Sequence, residues 1–277
     1  MSLRDKQGHA IAWGDLTGAA SNAKVALYIH GLCMSDREWQ TPTKQATDEL
    51  MQSKGWQIGH LRYNSGRAIW QNGEDLANWL EAANAAYPAR EIVLIGHSMG
   101  GLLMRSAFAY AHEHGQSWPA RISKAAYLAT PHLGAPLERA GNRLNTLLGH
   151  SPYTAPFMRL GNIRSAAIKD LRYGFISQAE HEQTQDIGSR DHRLQLNPLP
   201  DGMAHLLIAG SINPETAKSW VGDGMVPLYS ALAQHKRDEK SLVGENITRL
   251  FFDHVDHMAI LRDVRVWDAL TDWWLAR

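Results

Sequence analysis

One stretch constrains the fold more than any other: Ile92-Val93-Leu94-Ile95-Gly96-His97-Ser98-Met99-Gly100-Gly101, followed by an apolar run from Leu102 to Ala109. Four apolar residues in a row predict a buried strand, and Leu102-Leu103-Met104-Arg105-Ser106-Ala107-Phe108-Ala109 predicts the start of a mostly apolar helix. Gly96 to Gly100 is then a tight strand-to-helix turn that presents a hydroxyl at a helix N-terminus. The glycines leave room where strand and helix backbones close on Ser98. Unpaired N–H groups of the helix start stand beside its Oγ, where an anionic oxygen would be held.

Gly96-His97-Ser98-Met99-Gly100-Gly101 resembles the nucleophile elbow of the α/β-hydrolase family, especially its lipase and esterase branch. The same elbow occurs in haloperoxidase-like and C–C hydrolase relatives, so it does not choose a reaction alone. The resemblance implies an α/β fold: a mostly parallel central sheet, flanking helices and a helical cap. It also implies a triad in chain order nucleophile, acid, histidine. At 277 residues, one domain over positions 1–277 is the expectation.

Composition narrows the partners. The 28 basic and 28 acidic residues cancel, so a phosphate backbone gains little here and nucleic acid is not an expected partner. With 44% hydrophobic and 20% charged residues the chain reads as an ordinary soluble protein, and no apolar run approaches the roughly 20 residues of a membrane span. A single cysteine, Cys33, excludes an internal disulfide and reads as a small buried hydrophobe. It fits a reducing compartment. Met1 to Gln7 carries no apolar signal segment, and the expectation is a cytoplasmic location.

Read in order, Val25 to His30 predicts a buried strand that runs into Gly31-Leu32-Cys33. Lipases and esterases carry a similar His-Gly-x segment, and by that resemblance the backbone N–H groups of Leu32 and Met99 form the oxyanion hole. His30 and Gly31 become candidates for the substrate pocket. Thr41-Pro42 predicts a capped helix to Ser53, and Gly55 to Tyr63 the next strand. Leu76, Trp79, Leu80, Ala83 and Tyr87 mark one buried helical face before Pro88. A strand from Ile122 to Ala129 leads into Thr130-Pro131-His132-Leu133-Gly134, which is similar to a Thr-Pro-His-x-Gly segment of lipases and inositol-deacylase-like hydrolases. His132 and Leu133 are therefore pocket candidates, with His132 read first as a brace for its loop.

From 137 to 203 the alternation of strands and helices lapses. Leu144, Leu147 and Leu148, then Leu160, Ile163, Ala167 and Leu171, predict two amphipathic helices, and the insertion reads as a cap or lid. The plainer alternative is helical decoration on the sheet. His205 to Ala209 restores the strand pattern, followed by a loop that holds Gly222-Asp223-Gly224-Met225-Val226. Asp223 lies beyond a strand's C-terminal end, as the acid must, and its segment resembles the family's Asp-Gly-x-Val. Asp201 precedes its strand, Asp170, Asp186 and Asp191 lie within the insertion, and Asp253 remains a competitor.

Ile247 to Phe252 predicts the last strand, and Ile260, Val264, Trp267, Leu270 and Trp274 one face of the closing helix. His257 directly precedes that helix, where the family keeps its general base; His254 adjoins the strand and is expected to face the core. The expected catalytic set is Ser98, Asp223 and His257 in a serine hydrolase of carboxylic esters, with a small-molecule ester or lipid as substrate. No cofactor and no metal are implied, though Asp253 and Asp256 leave a structural calcium near the histidine loop open. Acyl transfer or thioester hydrolysis uses the same triad. A silent binding protein on the same fold is the alternative from another class.

Overall fold

A computed structural model describes residues 1–18, 22–135, 166–183, 196–213 and 222–276. Among the described residues eight strands form one sheet, in chain order β1 (Ser2–Arg4), β2 (Ala10–Ile11), β3 (Lys24–Ile29), β4 (Trp56–Arg62), β5 (Glu91–His97), β6 (Ile122–Leu128), β7 (Ala204–Ser211) and β8 (Ile247–Asp253). Their spatial order is β2-β1-β4-β3-β5-β6-β7-β8. The pairs β3 with β4, β3 with β5, and onward to β8 are all parallel. Only β1 runs antiparallel, to β2 and to β4.

Each central strand buries both faces, as a parallel sheet between two helix layers requires. Val25, Leu27, Ile29, Ile92 and Leu94 point into one core, while Ala26, Tyr28, Val93 and Ile95 enter the other. Period-two alternation sorts them. Four residues from Ile92 to Ile95 are fully buried, each contributing about 2 kcal/mol through removal of its side chain from water.

The α-helices among the described residues are α1 (Trp13–Thr17), α2 (Pro42–Ser53), α3 (Ile69–Ala86), α4 (Met99–Glu113), α5 (Ala166–Tyr173), α6 (Gln178–Gln183), α7 (Leu228–Ala231) and α8 (Val264–Leu275). In α2 the predicted start is realised: Thr41 Oγ1 accepts from Lys44 N–H and Pro42 occupies the first turn. Residues of α3 and α4 pack on one face of the sheet, and residues of α2 and α8 on the other. No helix among the described residues is long and apolar enough to cross a membrane.

Several sequence expectations shift. Tyr87 caps α3 instead of joining its buried face, and is 50% exposed. Val264 is also exposed, because the N-cap at Asp263 starts α8 there and Ile260 belongs to a separate short turn of helix. The strands β1 and β2 were not anticipated, since three and two residues carry too little alternation to read.

The predicted cap over 137–203 lies partly outside the described residues, including Leu144, Leu147, Leu148, Leu160 and Ile163. Its described part, α5 and α6, packs against α3. Asp170 Oδ2 accepts the Ile69 N–H at 2.8 Å, and Ser106 Oγ donates to the Ile176 carbonyl. Ala167 and Leu171 are buried as their spacing predicted.

Candidate active site

All parallel strands end at one rim, and the chemistry-bearing loops leave from it. His30 and Gly31 follow β3, Ser98 follows β5, Thr130 to Gly134 follow β6, Asp223 follows β7 and His257 follows β8. The order β4-β3-β5 places the start of the outward winding at β3 and β5, the kind of switch point where α/β sheets open a crevice.

Ser98 is forced into an unusual backbone conformation, φ 54° and ψ −123°, between the last residue of β5 and the first of α4. Such a conformation costs roughly 1–3 kcal/mol and persists only where the surroundings over-determine it. The surroundings here are the glycines. A Cβ on Gly100 would stand 2.3 Å from the Ile29 carbonyl oxygen, and one on Gly96 would stand 2.7 Å from the Gly101 nitrogen. Ser98 N–H is tied to the Leu128 carbonyl at 2.8 Å, so the turn is clamped from the β6 side as well.

The β3 turn closes on the same serine. A Cβ on Gly31 would lie 3.0 Å from Ser98 Cβ, which brings the 31–32 peptide to the side of Ser98. His30 controls how that peptide is turned. Its Nδ1–H donates to the Gly31 carbonyl at 2.9 Å, and its Nε2 accepts the Tyr63 N–H at 3.4 Å. In a trans peptide the carbonyl and the following N–H point opposite ways, so the Leu32 N–H is directed away from the His30 ring. Tyr63 secures the brace by stacking on His30 with centroids 4.3 Å apart and by donating its hydroxyl to the His30 carbonyl at 2.7 Å. Burial drives the His30 pKa down to about 4, and the ring is neutral at ordinary pH.

Asp223 and His257 meet. His257 Nδ1 lies 2.7 Å from Asp223 Oδ2, both side chains are buried, and the His257 N–H donates to the Asp223 carbonyl at 3.2 Å. The other carboxylate oxygen, Oδ1, accepts the N–H groups of Met225 and Val226 at 2.9 and 2.7 Å. The Asp-Gly turn and the carboxylate's orientation are thus one structure. His97, beside the serine, reaches the same loop: its Nε2 is 3.0 Å from the His257 carbonyl oxygen.

The competing groups are elsewhere. Asp253 pairs with Arg265, Asp201 is exposed at the start of β7, and Asp170 pairs with His181; Asp186 and Asp191 lie outside the described residues. Asp256 caps the next turn through the Met258 and Ala259 N–H groups. Among the described residues no group of three or more His, Cys, Asp or Glu side chains converges as metal ligands would. His254, expected to face the core, is instead exposed at φ 58°.

A family model described as the PGAP1-like alpha/beta domain matches residues 21–199, more than half of the 277. The chain belongs to that family. A comparison with curated protein sequences gives no match. Among solved structures, this PGAP1-like chain is similar to the mature form of a Bacillus licheniformis lipase, with 18% identity, a TM-score of 0.55 and 91% of each chain covered. Alpha/beta hydrolase domain-containing protein 10 from mouse superposes with 15% identity and a TM-score of 0.52 over 90% of this chain and 87% of that one. The RedJ thioesterase of prodiginine biosynthesis in Streptomyces coelicolor gives 14% identity and 0.52 over 92% and 91%. At these identities the likeness is one of fold: this is the α/β-hydrolase fold.

Two of the four pocket candidates in this PGAP1-like chain turn out to be internal. His30 is fully buried with both ring nitrogens engaged inside the protein, so it braces the turn and does not line a pocket. His132 is also fully buried, its carbonyl accepts Arg105 Nη1 at 3.4 Å, and its ring packs T-shaped with Tyr127, centroids 5.1 Å apart. Burial, with Arg105 and Arg249 nearby, holds its pKa well below the usual range. Gly31 and Leu133 remain at the rim, with the Leu133 N–H donating to Ser230 Oγ at 3.0 Å. Cys33 is partly buried and its thiol is pushed up to about 11, which suits no nucleophile. Sequence reasoning left His97 and Tyr63 without a role. The available signal was a histidine at a strand end directly before the serine.

Proposed function

We propose that this protein is a serine hydrolase of carboxylic esters, with Ser98 as nucleophile, His257 as general base and acid, and Asp223 as the group that orients the imidazole. The observation that carries this reading is the buried Asp223–His257 hydrogen bond at the strand rim from which Ser98, strained at φ 54°, is also presented. A serine hydroxyl is a weak nucleophile at neutral pH. His257 Nε2 takes its proton as Oγ attacks the ester carbonyl, and later gives it to the leaving alcohol. With Nδ1 donating to Asp223, the tautomer that leaves Nε2 free to accept is selected. Two N–H groups receive the oxyanion: Met99, first in α4 and without an intrahelical acceptor, and Leu32, turned by the His30 brace. Each is worth about 3 kcal/mol in the transition state. Water then resolves the acyl-enzyme, and the sequence implies no cofactor.

The similar structures that are lipases and the resemblance of the Thr130 to Gly134 loop favour esters with an apolar moiety. Thioesters are the second reading, because a thioesterase superposes over nearly the whole chain. A fluorophosphonate probe tests the proposal: labelling of the wild type and none of Ser98→Ala is the expected pair. Turnover of p-nitrophenyl esters of graded chain length against matched acyl thioesters then ranks the substrates. An unlabelled and inactive wild type would favour a silent binding protein.

A further inference from the structure

We propose that His97 is a positioning residue that sets the His257 loop against Ser98, through the hydrogen bond from its Nε2–H to the His257 carbonyl. The inference rests on the serine-hydrolase reading for its catalytic consequence, but the contact itself is independent of it.

The sheet does not fix the separation of these two groups. Ser98 follows β5 and His257 follows β8, with β6 and β7 lying between them. Among the described residues three hydrogen bonds hold His257: two run to Asp223, from the backbone N–H and from Nδ1, and the third comes from His97. The first two tie the base to the acid. The third ties it to the nucleophile's covalent neighbour, across 160 residues of chain.

The chemistry of the bond fixes the state of His97. A carbonyl only accepts, so Nε2 carries the hydrogen and the neutral ring keeps Nδ1 as an acceptor. That Nδ1 is buried and has no partner among the described residues. Burial and the neighbouring His257 hold the pKa of His97 well below its usual value, which keeps the donor on Nε2 without adding charge beside the base. The ring itself is fully buried, 4.9 Å from the His257 ring and edge-on to Trp39 at 6.4 Å. A leucine would fill such a space without an orphaned Nδ1, but it would leave the His257 carbonyl without its donor. What histidine supplies here is the Nε2 donor at its reach, which glutamine, whose terminal nitrogen sits about as far from Cα, can imitate.

The test uses the full chain as wild type, His97→Leu, His97→Asn and His97→Gln, with three readouts: kcat and KM on a p-nitrophenyl ester, the rate of fluorophosphonate labelling, and the low-field proton resonance of His257 Nδ1–H. Leu and Asn, which cannot donate at that distance, are expected to lower kcat and the labelling rate by roughly 10- to 100-fold with KM within about twofold, the scale of a displaced catalytic group. Both are expected to shift or broaden the resonance. Gln is expected to recover kcat to within about threefold and to restore the resonance. Asn keeps the inference testable if the Leu variant does not fold. Wild-type kcat and an unaltered resonance in Leu or Asn overturn it, as does an equal loss in Gln and Leu, which would make the role one of packing. A wild type without hydrolysis or labelling sinks the functional reading alone, and the resonance series still decides whether His97 holds His257.

Discussion

Asp223 Oδ2 and His257 Nδ1 lie 2.7 Å apart, between two side chains almost wholly withdrawn from water. Asp223 Oδ1 is held by two backbone N–H groups, so the carboxylate cannot rotate away without leaving those donors unpaired. Replacing it by asparagine keeps the shape and removes the acceptor that selects the tautomer. Asp223→Asn is expected to lower kcat by about 10³- to 10⁴-fold with a near-native melting temperature. A loss below about tenfold would remove Asp223 from the mechanism.

Gly100 bears on the backbone of β3. A Cβ there would stand 2.3 Å from the Ile29 oxygen and 2.7 Å from the His30 oxygen, both backbone atoms of fully buried residues at the C-terminal end of β3. Neither can move as a side chain does. Gly100→Ala is expected to cost about 3 kcal/mol or to abolish soluble expression. A denaturant midpoint equal to wild type contradicts the packing described.

Stability is expected to fall between pH 7 and pH 5. His30 titrates near 4 in the folded chain against about 6.5 in the unfolded one. Above 6.5 both forms are neutral and nothing is gained or lost. As the pH drops towards 4, the unfolded chain takes a proton that the folded chain refuses, and stability declines until both are protonated. For His30 alone the change from pH 7 to pH 5 is about 2 kcal/mol. His60, held near 3 by burial, and His97, His132 and His205, all lowered chiefly by burial, act with the same sign. Guanidinium melts at the two pH values measure it, and equal unfolding free energies would refute it.

A second buried polar group lies on the face of β3 away from α3 and α4. Lys44 Nζ pairs with Asp48 and sits 4.0 Å above the Tyr28 ring, while the Tyr28 hydroxyl donates to Asp48 Oδ1 at 2.9 Å. Lys44→Met leaves the carboxylate buried without its cation and is expected to cost about 3–4 kcal/mol. Adding Asp48→Asn removes the stranded charge and still accepts from Tyr28. The double variant is expected to recover more than half of that loss in a denaturant melt, with ester turnover unchanged. No recovery would show that the pair's cost is not electrostatic.

The strands from β3 onward, the longer helices and the elbow are written locally in the residues. Apolar runs such as Val25 to Ile29 and Ile92 to Ile95 declare strands buried on both faces, Thr41-Pro42 declares a helix start, and the glycines around Ser98 declare a turn too tight for a Cβ. These are legible because they are local: periodicity, capping and steric exclusion act within a few residues. Where a loop travels is not local. Contacts between segments far apart in the chain set the rest: Asp223 meets His257 while Asp253 turns to Arg265, His254 is exposed, His30 is a brace inside the protein, and His97 reaches the His257 carbonyl. Each of those depends on hydrogen bonds between side chains and loops brought together by strand order. Composition and spacing carry no record of such contacts. Even β1 and β2 exist as strands only because β4 offers an edge for β1 to pair with, and β1 in turn offers one to β2.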